Sequence, residues 1–233
     1  MNRLVIVFFL TILAGLAHAQ LNMPPASPDA TFKQQIGFGE VEVKYSRPSA
    51  RGRVIFGGLI PFGEIWRTGA HDATTIHFSE VVKLNGYDIP ADTFSLFTIP
   101  IQNEWTIIIN KTAKMHGTSD YTPEQDLVRF TVKPEKSVKY YETFTIEIND
   151  LSKDEAVLYL LWENTQVKLT IKMSVDEKVM SEINERINVK KEDRASLYYQ
   201  SSAYYFNNNK DLKQAYAWAQ VANSKTQDAG YLQ

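Results

Sequence analysis

An antiparallel β-sandwich or jelly-roll-like domain followed by a small α-helical C-terminal segment is the fold class predicted for this chain of 233 residues. Three observations predict it. Short alternations of apolar and polar residues recur from about Val41 to Met173, turn residues separate them, and the period becomes helical after Ser174. No long helical run interrupts the strand signals, which argues against βαβ units.

The elements follow in order. Residues 20–29 hold Pro24, Pro25 and Pro28 and read as an irregular leader. Val41, Val43 and Tyr45 alternate with Glu40, Glu42 and Lys44. Thr74 to Phe78 and Val81 to Leu84 flank a break, and Asn85-Gly86 is a two-residue hairpin signal. Phe94 to Ile99 and Trp105 to Ile109 make a second hairpin, with Leu127 to Val132 and Thr143 to Ile148 after it. Ala156 to Trp162 and Val167 to Met173 read as a last pair around Glu163 to Gln166, which brings the expected strands to nine or ten. Residues 111–124 are polar without alternation and predict a long loop with a helical turn. Three helices are expected over Asp176 to Val189, Asp193 to Phe206 and Leu212 to Ala222, with Ser174 and Glu177 at capping-box spacing.

The chain begins with a secretory signature. Arg3 precedes an apolar run from Leu4 to Leu16, and Ala17-His18-Ala19 is a small-x-small cleavage site. The expected organisation is therefore a signal peptide over 1–19, a β domain over 20–173 and a helical tail over 174–233. No other run is long enough to span a bilayer, so an exported protein, periplasmic or extracellular, without a transmembrane segment in the mature chain is expected. There is no cysteine, which excludes disulfides, thiolate metal sites and Cys nucleophiles. A formal net charge of −2 argues against nucleic acid as a partner.

The densest feature lies between Tyr45 and Thr75. It contains Tyr45-Ser46-Arg47-Pro48, Gly52-Arg53, Ile55-Phe56-Gly57, Pro61-Phe62-Gly63 and Trp66-Arg67-Thr68-Gly69-Ala70. With Pro90-Ala91 before Phe94-Ser95-Leu96-Phe97, and Trp162-Glu163-Asn164, these segments resemble the signature of a secreted bacterial family, domain of unknown function 2911, over about residues 22–173. That family usually carries Asn-Glu-Ala-Thr where this chain has His71-Asp72-Ala73-Thr74, and a glycine where it has Asp92. The resemblance implies an exported β-rich domain, often with a helical tail, and no established activity. In the tail, Ala203, Ala215 and Ala222 fall at tetratricopeptide spacing, and Gln227 stands in place of that pattern's proline. One such unit cannot bury its own faces; the tail is expected to pack on the sandwich or to be cut short at Gln233.

Candidate chemistry follows from residue types. Arg47, Arg51, Arg53 and Arg67 suit a clamp for an anion or a sugar acid, since guanidinium binds carboxylate bidentately. The structural alternative pairs them with Glu64, Asp72 or Glu163. Trp66 suits either sugar stacking or a core anchor. His71 and Asp72 could form an acid/base pair, but His71, His77 and His116 lack metal-ligand spacing, and no metal or cofactor is expected. There is no nucleophile elbow and no phosphate loop. The expected function is ligand or partner binding without catalysis. Its candidate residues are Arg47, Arg53, Trp66, Arg67, His71, Asp72 and Glu163, and its ligand is a small anionic molecule or a carbohydrate. The rivals are a hydrolase of envelope or extracellular carbohydrate, using Asp72, Glu64 or Glu163, and a docking role for a protein partner at the aromatic helical tail.

Overall fold

The computed structural model describes residues 23–226. The signal peptide expected over 1–19 and the chain end at Gln233 lie outside the described residues. Ten strands are present among the described residues: β1 (Asp29–Ile36), β2 (Gly39–Ser46), β3 (Thr75–Phe78), β4 (Val82–Leu84), β5 (Tyr87–Ile89), β6 (Asp92–Pro100), β7 (Trp105–Asn110), β8 (Asp126–Val132), β9 (Glu135–Asn149) and β10 (Glu155–Met173). They form a six-stranded sheet in the order β1-β2-β3-β6-β7-β8 and a four-stranded sheet in the order β5-β4-β10-β9. Every strand pair is antiparallel. The fold is thus mainly antiparallel β, a two-sheet sandwich, as the alternations predict.

The core lies between the sheets. Val41 and Val43 of β2, Ile76 and Phe78 of β3, and Ile107 and Ile109 of β7 face Ile146 and Ile148 of β9 and Leu158 and Leu160 of β10. The period-two pattern puts these side chains on inner faces, where each fully buried one contributes roughly 1.5–3 kcal/mol. Asn85 (φ 47°) and Gly86 (φ 90°) take the left-handed pair that a two-residue hairpin requires.

Two readings are corrected. The last pair of strands is one strand: β10 runs unbroken for 19 residues. The polar segment Glu163 to Gln166 is a register break within it, with Glu163 at φ 48°. The extra residues lie on the partner: β9 passes from Thr145 to Lys136 while β10 passes from Leu161 to Thr165, so β9 bulges opposite a segment of β10 that has the composition of a turn. The leader gives way at Asp29 to β1, which the alternation missed because Gln34 stands at an inward position between Phe32 and Ile36.

The tail holds α1 (Val175–Ile183), which passes into a wider turn over Asn184–Val189, then α2 (Ala195–Asn207) and α3 (Leu212–Thr226). Ser174 makes no capping bond, unlike Asp211, whose Oδ1 accepts from Lys213 N at 2.8 Å. The tail is fastened to the sandwich. Lys153, in the β9–β10 turn, donates to Tyr204 Oη (3.0 Å) and Asn208 Oδ1 (2.7 Å). Tyr204 and Lys210 both donate to Asp176, at 2.8 and 2.6 Å. Burial and the bond to Asp176 push the Tyr204 phenol up to about 12.

Candidate functional site

The stretch from Arg47 to Thr74 is the connection between β2 and β3. Its first part covers an exposed sheet edge. Ala50 N donates to Glu142 O (2.7 Å) and Phe144 N donates to Pro48 O (2.8 Å), so residues 48–50 lie along the free edge of β9. The arginines hold this strip. Arg47 donates from Nε to Phe144 O (3.2 Å) and from Nη2 to Thr145 Oγ1 (2.8 Å). Arg53 donates to Ala50 O (2.9 Å) and Ser49 O (2.7 Å), and Arg51 to Ala26 O (2.8 Å). Backbone carbonyls and the Thr145 hydroxyl, rather than the acids named as alternatives, accept from these guanidiniums. Arg47 and Arg53 thus clip the loop in place, and neither lines the groove described below.

Trp66 is corrected as a stacking platform. It is 4% exposed and ringed by Phe56, Trp105, Phe144 and Trp162. Its indole N–H donates to Gly69 O at 2.9 Å. Trp66 exchanges backbone bonds with Thr98 (2.7 and 2.9 Å), which continues the lane of β3 along β6. A side chain at Gly69 would lie 3.0 Å from Thr74 Oγ1 and 3.1 Å from Ser46 O, tight contacts that any larger residue would have to push apart by a few tenths of an ångström. The Trp-Arg-Thr-Gly segment is a folded clamp.

The second part of the connection reaches a groove. On the outer face of the six-stranded sheet, Ala73, Phe97, Ile108 and Met115 form a second small core beneath residues 111–125. This cover leaves the β1–β2–β3 side of the face open, and a groove of about 930 Å³ lies between. Lys44, Thr75 and Thr93 line its floor, Ser27, Asp29 and Thr31 one wall, and His71, Asp72, Lys114 and His116 the other. His116 Nδ1 and Asp72 Oδ1 are 2.7 Å apart, and both side chains are well exposed. Residues 72 and 116 are also joined as a backbone bridge. Lys44 is tied to Glu42 at 2.6 Å. Hydrogen bonds from Lys33 and then Lys44 hold the Glu42 carboxyl down at about 2. Among the described residues, His71 and Lys114 have no ion-pair partner.

His71 sits at φ 55° and Thr68 at φ 54°. Asn, Asp and His are the non-glycine residues that most readily adopt this conformation. The backbone thus accounts for the residue type at position 71. Arg67 does not line the groove. A carbon added at Gly117 would lie 4.0 Å from Arg67 Nη1, and Arg67 Nε is buried without a hydrogen-bond partner.

Of the seven candidate residues, the structure brings only His71 and Asp72 together in the groove. Glu163 lies in a different depression. Lys44, Lys114 and His116 are groove residues that the sequence did not single out. Lys44 showed only as the polar side of an alternating strand, and no spacing links His116 to Asp72 across 44 residues. Among the described residues there is no group of three or more His, Asp or Glu that could hold a metal ion.

The family model for "Protein of unknown function (DUF2911)" matches residues 27–171, and the chain belongs to that family. Neither the curated proteins nor the solved structures contain a match. No helix among the described residues is long and apolar enough to cross a membrane.

Proposed function

We propose that the chain is an exported binding protein without catalysis, and that its groove takes a small anionic molecule or an acidic carbohydrate. One observation carries this reading: an open groove of about 930 Å³ holds the unpaired Lys114 and His71 beside hydroxyl-bearing Thr75, Thr93 and Ser27. Ammonium and imidazole groups attract a carboxylate, and the hydroxyls and Asp29 suit sugar hydroxyls. The full chain and its Lys114→Ala variant, applied to an array of acidic and neutral oligosaccharides, test it. Acidic glycans retained by the parent and lost by the variant are expected. Equal signal from the two proteins, or none from either, removes the proposal.

The Asp72–His116 contact favours one rival, carbohydrate hydrolysis with Asp72 as acid/base, to which His116 is added as its hydrogen-bonded partner. Release of nitrophenol from nitrophenyl glycosides, abolished in His116→Gln, would replace the binding reading.

A further inference from the structure

We infer that a second site, at the loop end of the sandwich, takes an alkylammonium or guanidinium group: the side chain of a lysine or arginine on a partner peptide. The site is a depression of about 350 Å³ between the β6–β7 turn, the β8–β9 turn and the middle of β10. It shares no lining residue with the groove.

Glu163 is the chemical centre of this depression. It is half-buried, and it has no ion pair among the described residues. Its Oε2 accepts one long bond, from Ile55 N at 3.4 Å. The other acid there, Glu135, is already engaged by Lys168 at 2.7 Å. Lys136 lines the same depression without bonding Glu163. Glu163 also occupies the left-handed region, φ 48°, at the register break in β10. Such a conformation is strained for a glutamate and gathers at functional positions.

The walls select the ligand. Phe56 and Phe62 line the depression, and Phe62 is 44% exposed. An anion would meet Glu163. A neutral apolar group would leave the carboxylate desolvated and unpaired. A cation on a hydrocarbon stem satisfies both features, with its charge on Glu163 and its stem along the rings. The surroundings point to a peptide rather than a free amine. Ile101 in the lining and Val54, next to Ile55, are exposed and offer apolar contact to the residues flanking a lysine.

The test uses the full chain, backbone amide NMR and three probes: a capped Val-Lys-Val peptide, its norleucine counterpart, and n-butylamine. Saturable shifts at Ile55, Ile101 and Asn164 are expected with Val-Lys-Val, with binding at least about tenfold weaker for the norleucine peptide. Glu163→Gln keeps an acceptor for Ile55 N and is expected to weaken Val-Lys-Val binding by at least about tenfold. Phe62→Ala, a change at an exposed ring, is the second variant and is expected to weaken it several-fold. Absence of shifts at those amides, or unchanged affinity in both variants, overturns the site. Butylamine binding as tightly as the peptide overturns the peptide partner.

Discussion

The two parts of the β2–β3 connection differ in composition and in fate: the glycines, arginines and large aromatics all fall before Ala70, and the later part is His71-Asp72-Ala73-Thr74. Between Arg47 and Gly69 the Arg47 and Arg53 guanidiniums grip carbonyls and the Trp66 indole grips Gly69, while Arg67 Nε is buried without a partner. From His71 to Thr75 the connection turns outward, and His71 and Asp72 line an open groove. A forked donor signals only that something must accept from it, and an irregular backbone supplies carbonyls in plenty. Ligand capacity resides where a polar group without a partner also faces an open groove, as at His71 and Lys114 and unlike the buried Arg67 Nε.

That contrast can be broken by substitution. The largest expected effect is at Trp66. Trp66→Ala should cost about 3–5 kcal/mol in urea denaturation, because the ring is enclosed by four other aromatics. A loss near zero would return Trp66 to the surface chemistry it was first considered for. Arg47→Ala should come next, at about 1–3 kcal/mol for two lost charge-assisted bonds. Arg47→Lys should recover little, since an ammonium cannot span Phe144 O and Thr145 Oγ1 together. On the groove side, Lys114→Ala should leave stability within about 0.5 kcal/mol of the parent. A large loss there would erase the distinction between the two halves.

The smallest effect concerns acid. Glu42 has a folded value lowered to about 2 by Lys33 and Lys44. A depressed carboxylate adds stability above its unfolded value of about 4.3, and that increment disappears as pH falls toward the folded value. Glu42→Gln should flatten the decline in melting temperature between these limits. The change should be slight, because both lysines are more than half exposed.

Much of the fold could be read from local pattern, because sheet burial imprints a period of two and Asn85-Gly86 has one favoured conformation. β10 could not, because Glu163 to Gln166 has the composition of a turn and only pairing with β9 decides otherwise. The groove was half visible. His71 and Asp72 stood in a conspicuous segment, whereas His116 lay in a featureless loop that joins Asp72 only in the folded chain.

β10 also has a mechanical meaning. It runs for 19 residues, is hydrogen-bonded to β9 and to β4, and enters α1 with only Ser174 between them. Tension applied to the helical segment is carried straight along this strand. It loads a ladder of parallel-acting hydrogen bonds in shear, so the bonds must fail together rather than unzip one by one. The helical segment is thus joined covalently to the strand that carries Glu163, and the Lys153 contacts give it a second attachment to the far end of the same strand.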